Sequence, residues 1–131
     1  MKANELMIGD WVKFPFGNEK IIDLPYIPGK GICASFVASA TLFPVEIEKL
    51  QPIPLTPEIL EKNGWRWVER HSKWELIVDT VHIGWGFYEG YISASDWADE
   101  GDVEITSLRC EFVHQLQHAL RLCGIEKEIE L

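Results

Sequence analysis

Residues 5–52 alternate short apolar runs with turn residues, which is the pattern of short β-strands. The predicted strands are residues 11–14, 20–24, 31–39 and 44–48, and breaks that contain Gly or Pro separate them. In the last of these strands apolar and acidic residues alternate, as they do where one face is buried. Several short strands within about 45 residues favour a small, strongly bent sheet. We therefore predict a small β-barrel-like lobe of the SH3-like type over residues 1–52.

A proline-rich connector, residues 51–57, leads into the first predicted helix. Thr56 is a suitable N-cap residue, and Pro57 fits the first helical position because a helix needs no donor there. Gly64 accepts the left-handed conformation that commonly ends a helix. The sequence therefore predicts a helix of about two turns over residues 57–63.

Beyond this helix the apolar residues recur at every second position, which is the period of a β-strand. This pattern predicts strands within residues 65–68, 74–78 and 81–87, and another that begins at Val103. Residues 93–102 are acidic, small and rich in turn formers. We predict that they form a surface loop.

The last third of the chain carries the clearest helical period. A buried stripe at helical spacing is predicted for Phe112, Val113, Leu116, Leu120 and Cys123. Gly124 is a suitable residue to end this helix. Residues 126–131 alternate acidic and apolar residues, which predicts an edge strand that could pair with a second copy to form a homodimer.

The order of these elements predicts an α+β fold. Residues 53–131 would form an α+β lobe, with a short connecting helix and an antiparallel sheet on which one C-terminal helix packs. A parallel sheet is not expected, because strands and long helices do not alternate along the chain. One continuous domain remains an alternative to two lobes.

The charge of the chain narrows the classes of partner. Twelve basic residues stand against 21 acidic residues, which gives a formal net charge of −9. Proteins bind DNA and RNA mainly through Lys and Arg on phosphates, so we expect no direct nucleic-acid binding. An acidic surface does allow a basic protein partner, or mimicry of a nucleic acid as in an anti-restriction regulator.

Cysteine usage and hydropathy bear on the compartment. The three cysteines are sparse and odd in number, unlike the paired set of a secreted disulfide scaffold. The opening residues lack the pattern of a signal peptide, and no apolar stretch approaches the roughly 20 residues that span a bilayer. We therefore expect a cytoplasmic protein with no membrane partner.

One pattern resembles a metal site. Cys110, His114 and His118 are spaced four apart, so on a helix they would share one face and could ligate zinc. The HExxH motif of metalloproteases has a glutamate as general base, but Gln115 occupies that position here. The favoured interpretation is that both histidines flank the buried stripe; a small metal-dependent hydrolase is the alternative.

A second pattern combines an aromatic residue with carboxylates. The candidate interaction surface consists of Asp96, Trp97, Asp99, Glu100 and Asp102. The spacing of these acids does not match a calcium-binding loop. The other tryptophans follow the period of strands and are expected in a sheet core. The sequence has no glycine-rich phosphate loop or dinucleotide fingerprint, so we expect no cofactor.

Three segments resemble a family of short proteins that is frequent in gut Bacteroidetes, often in prophage-like or other mobile regions. They are MKANELMIGDWV, LQPIPLTPEILEKNGW and EFVHQLQHALRLCGIEKEIEL, at the two ends and in the middle of the chain. The resemblance implies an intracellular, phage-linked setting but no catalytic residue. It also implies that residues 113–117 are a structural signature of the family and not a metal site particular to this chain.

The function predicted from these observations is a protein-interaction or accessory module linked to phage or mobile elements. The prediction is of a protein without enzymatic activity, because no constellation of nucleophile, base and oxyanion donor is visible. The acidic regulator and the metal-dependent hydrolase are the alternatives.

Overall fold

The computed structural model describes residues 1–14, 17–36, 44–86, 90–96 and 103–131, and at residues 95–96 and 103–108 only their backbone. Within these ranges the chain contains two helices and sheets whose strands all pair antiparallel. The predicted α+β class is confirmed. The chain divides into two compact units, which we call the N-terminal unit (Met1–Ile53) and the C-terminal unit (Pro54–Leu131).

The N-terminal unit is built around a central strand. Its strands are β1 (Trp11–Phe14), β2 (Gly17–Asp23), β3 (Tyr26–Ile27), β4 (Gly31–Phe36) and β5 (Val45–Glu46). β2 pairs with β1 and also with β4, β3 pairs with the other end of β4, and β5 pairs with β4 as well. The predicted strand over residues 44–48 is wrong in its second half, because Ile47–Lys49 form a 3₁₀ turn.

The chain then returns to the first strand. The backbone N–H of Lys13 donates to the carbonyl of Gln51 at 2.8 Å, and the N–H of Gln51 donates to the carbonyl of Lys13 at 3.0 Å. The side chains enclosed by these strands form one apolar core, which contains Leu6, Val12, Ile21, Ala34, Phe36, Val45, Ile47 and Leu50.

The C-terminal unit contains one antiparallel sheet in the order β10-β9-β8-β7-β6. Its strands are β6 (Arg66–Val68), β7 (Lys73–Val78), β8 (Val81–Gly86), β9 (Tyr91–Asp96) and β10 (Val103–Arg109). The predicted loop over residues 93–102 is wrong at its start, because residues 93–96 belong to β9 and pair with both β8 and β10. Residues 97–102 lie outside the described ranges.

Two helices accompany this sheet. α1 (Pro57–Lys62) begins as predicted, since the side-chain oxygen of Thr56 accepts the backbone N–H of Ile59 at 3.3 Å. α2 (Val113–Leu122) buries three residues of the predicted apolar stripe, Val113, Leu116 and Leu120. The other two, Phe112 and Cys123, are half-buried residues that cap the helix. The buried residues of α2 and the buried residues of the sheet, such as Ile83, are the core of the unit.

Residues 125–131, which we call the C-terminal strap, do not form the predicted edge strand. Ile125 and Ile129 are buried, and the side-chain amide of Asn63 at the end of α1 binds the backbone of Glu130. The alternation of the sequence therefore reflects apolar anchors and exposed acids along an irregular segment. No helix in the described part of the chain is long and apolar enough to cross a membrane.

Candidate functional site

Cys110 precedes α2 and is fixed by its backbone. Its N–H donates to the carbonyl of Gly90 at 2.6 Å, and its carbonyl accepts the indole N–H of Trp85 at 2.8 Å. Burial raises the pKa of the Cys110 thiol to about 12. In the described structure this thiol is therefore protonated near neutral pH.

The two histidines lie on successive turns of α2. The ring of His114 meets that of His118 edge to face with centroids 5.7 Å apart, and it stacks on Phe112 at 6.0 Å. Because the helix begins only at Val113, Cys110 does not continue their stripe. Among the described residues no three side chains of His, Cys, Asp or Glu form a group that could hold a metal ion.

Gln115, at the position of the HExxH glutamate, has a structural contact. Its side-chain oxygen accepts the backbone N–H of Glu111 at 2.7 Å and that of Phe112 at 3.1 Å. These donors lie at the start of α2, where the helix itself supplies no acceptor. The contact caps the helix and leaves that oxygen occupied by backbone donors.

The predicted acidic and aromatic surface falls largely outside the described residues. Trp97, Asp99, Glu100 and Asp102 lie there, and Asp96 is described only by its backbone, at the end of β9. This surface stays a prediction. The placement of other tryptophans in a core is confirmed for Trp65 and Trp85, which are 2% and 4% exposed, and is wrong for Trp67, which is 37% exposed.

The described surface instead offers an uncovered apolar pair. Tyr26 is 72% exposed, the highest value among the large apolar residues that are described, and it lies directly opposite Ile32, which is 44% exposed. The neighbouring pair is hydrogen-bonded, since the N–H of Cys33 donates to the carbonyl of Pro25 at 2.8 Å. Hydrogen-bonded and non-hydrogen-bonded pairs alternate in antiparallel strands, so Tyr26 and Ile32 form a non-hydrogen-bonded pair, whose side chains approach most closely.

This pair continues the inner face of the sheet. Phe36 and Ala34 of β4 are buried in the core, and Ile32 is two residues further along the same face of the strand. Leu24, which precedes β3, packs against the same core. The apolar face therefore runs from the core outwards and ends at Tyr26, where the described structure leaves it exposed to water.

A tight turn holds the pair in place. The N–H of Lys30 donates to the carbonyl of Ile27 at 2.9 Å, which closes a turn with Pro28 and Gly29 at its centre. Gly29 has a φ of +85°, the value that the second central residue of a type II turn requires. Proline fixes the first central residue, so the hairpin presents the pair with little loss of backbone entropy on binding.

Charge is distributed unevenly between the two units. The N-terminal unit has five basic and six acidic residues, a net charge of −1. The C-terminal unit has seven basic and fifteen acidic residues, a net charge of −8. The Tyr26–Ile32 pair thus belongs to the nearly neutral unit, in which an apolar contact meets the least electrostatic repulsion.

The sequence contains a signal for this pair, although the alternation of apolar and polar residues does not show it. Prolines on both sides of Tyr26 mark a break, which hid a two-residue strand between them. The Pro28-Gly29 turn signal, with apolar residues on both sides, would have indicated the hairpin. In comparisons with protein-family models, curated proteins and solved structures, none matches this chain.

Proposed function

We propose that this protein is a non-enzymatic protein-interaction module and that the Tyr26–Ile32 pair is its binding surface. One observation carries the proposal: the pair lies on the core-facing side of a hairpin and is nevertheless uncovered. Covering an aromatic and a branched aliphatic side chain stabilises a complex by about 1.5–3 kcal/mol for each residue that becomes fully buried. A partner with an apolar surface fits this site.

We further propose that the N-terminal unit is an SH3-like barrel. Pairing runs from β1 through β2 and β4 to β5, a 3₁₀ turn follows, and Gln51 then pairs with Lys13 of β1. These pairings support a sheet that closes on itself, with the apolar core inside.

The resemblance of the chain ends to proteins of mobile regions supports an intracellular accessory role for this module. An interaction module acts through what it binds. The identity of the partner therefore defines the function. The site must be tested in cells that contain this partner.

The test is site-specific photo-crosslinking in cells that express the protein. p-Benzoylphenylalanine replaces Tyr26 in one variant and the exposed Ile77 of the C-terminal unit, which is 60% exposed, in the matched control. We expect a protein adduct at position 26, absent at position 77. Excess wild-type protein should suppress that adduct, whereas excess Tyr26→Ser protein should not. The absence of any protein adduct at position 26 would contradict the proposal.

A further inference from the structure

We propose that the partner at this surface is a second copy of the chain, joined through the outer edge of β3. The inference rests on the proposed function, because it names the occupant of the same site. The backbone groups of Tyr26 and of its two neighbours point to opposite edges of β3. The carbonyls of Pro25 and Ile27 accept donors from Cys33 and Lys30, on the side of β4.

The backbone groups of Tyr26 point the other way. Successive residues of a strand direct their N–H and C=O groups to opposite edges, and Tyr26 belongs to a non-hydrogen-bonded pair with β4. Its N–H and C=O therefore lie on the outer edge of β3. β3 is the last strand in the pairing order of its sheet, so within the described chain no strand covers this edge.

A second copy satisfies both groups by symmetry. In an antiparallel pair centred on Tyr26, each N–H donates to the carbonyl of Tyr26 of the second copy, which is the reciprocal bonding of an isologous contact. The two apolar pairs then join into one row of four side chains, Ile32 and Tyr26 of one copy followed by Tyr26 and Ile32 of the other. Cross-strand aromatic and aliphatic pairs of this kind stabilise sheets.

The residues on either side of β3 favour this occupant over a longer added strand. On this outer edge Pro28 has no N–H, and the N–H of Leu24 donates to Oδ1 of its neighbour Asp23 at 2.9 Å. Tyr26 is therefore the one residue of this short edge that offers its N–H to a second strand, which disfavours longer strand addition. The contact joins two N-terminal units that each have a net charge of only −1, so electrostatic repulsion between the two copies is weak.

Sedimentation velocity tests the second copy from about 1 µM to about 1 mM, the range expected for an interface smaller than the standard size. We expect the wild-type protein and Ile77→Ser to shift from monomer to dimer as the concentration rises. Tyr26→Ser and Ile32→Ser should remain monomeric, with unchanged thermal melting because both positions are exposed. A wild-type protein that is monomeric throughout would overturn the inference.

A backbone variant tests the strand pairing separately from the ring. Ligation at Cys33 joins a synthetic segment 1–32 to residues 33–131, with or without an N-methyl group on Tyr26. The methyl group removes the donor and keeps the side chain, so we expect dimerisation to weaken by at least about tenfold. Equal dimerisation with and without the methyl group would overturn the strand pairing.

The two proposals fail in different ways. If the wild-type protein stays monomeric while position 26 crosslinks to a different protein, the second copy is wrong and the interaction module stands. If position 26 crosslinks to no protein, both are wrong. An adduct of twice the mass of the chain, together with the concentration-dependent shift, supports both.

Discussion

The side-chain amide of Asn63 pairs with the backbone of Glu130 as a neighbouring strand would. Its Nδ2 donates to the carbonyl of Glu130 and its Oδ1 accepts the N–H of Glu130, both at 2.7 Å. The same Nδ2 also donates to the carbonyl of Ile59 at 2.7 Å. Asn63 is buried, so one side chain joins the end of α1 to the C-terminal strap.

Asn63→Ala should therefore lower the free energy of unfolding by about 1–3 kcal/mol, because it removes three side-chain hydrogen bonds, two to the backbone of Glu130 and one to the carbonyl of Ile59. Urea unfolding followed by circular dichroism measures the change. Asn18→Ala, at an exposed position of β2, is the matched control and should change stability by less than about 0.5 kcal/mol. Equal effects of the two substitutions would show that the amide does not hold the strap.

Two buried tryptophans provide an internal comparison. The indole N–H of Trp85 donates to the carbonyl of Cys110 at 2.8 Å, whereas the indole N–H of Trp65 has no hydrogen-bond partner among the described residues. Both substitutions by Phe remove similar apolar area, but only Trp85→Phe breaks a hydrogen bond. We expect Trp85→Phe to cost about 1–2 kcal/mol more than Trp65→Phe in equilibrium unfolding. A larger loss for Trp65→Phe would contradict this assignment.

The N-cap of α1 can be tested with two substitutions of Thr56, one that removes the side-chain oxygen and one that keeps it. Thr56→Ala removes the oxygen that accepts the N–H of Ile59, and we expect a loss of about 1 kcal/mol in the free energy of unfolding. Thr56→Ser retains the oxygen and should recover most of that loss. If serine is as destabilising as alanine, the methyl group and not the cap explains the effect.

The buried thiol of Cys110 makes stability depend on pH in the alkaline range. Burial raises the pKa of this thiol from 9.0 in the unfolded chain to about 12. The folded state therefore retains the proton more strongly, and the contribution is complete below pH 9 and is lost as the pH rises towards 12. We expect the wild-type protein to lose more stability across this window than Cys110→Ala does. Parallel profiles for the two proteins would contradict the expectation.

The local elements were predictable where short-range chemistry determines them. Both ends of α1 are predicted by Thr56, Pro57 and Gly64. The apolar stripe through Leu116 predicts α2. β9 was missed because its central residues, Ser93 and Ala94, are too small to show an alternation in hydropathy. Pairing on both sides with β8 and β10 stabilises that strand, and this is information the local sequence does not contain.

The candidate site was not predictable for a related reason. The pattern of residues 126–131 is that of a strand, but Asn63, far away in the sequence, binds this segment in the same chain. Tyr26 lies between two prolines, and its importance follows only from the register that places it opposite Ile32.

Cys110, His114 and His118 have the spacing of metal ligands on a helix. They do not share one helical face, because α2 begins only at Val113.

Crosslinking yields at positions 26 and 77, measured under identical irradiation in the same cells, test directly whether the Tyr26–Ile32 pair binds a protein. We expect a protein adduct at position 26 that Ile32→Ser, introduced in the same chain, abolishes, with only background at position 77. Equal yields at the two positions, or an adduct at position 26 that survives Ile32→Ser, would show that the Tyr26–Ile32 pair is not the binding surface.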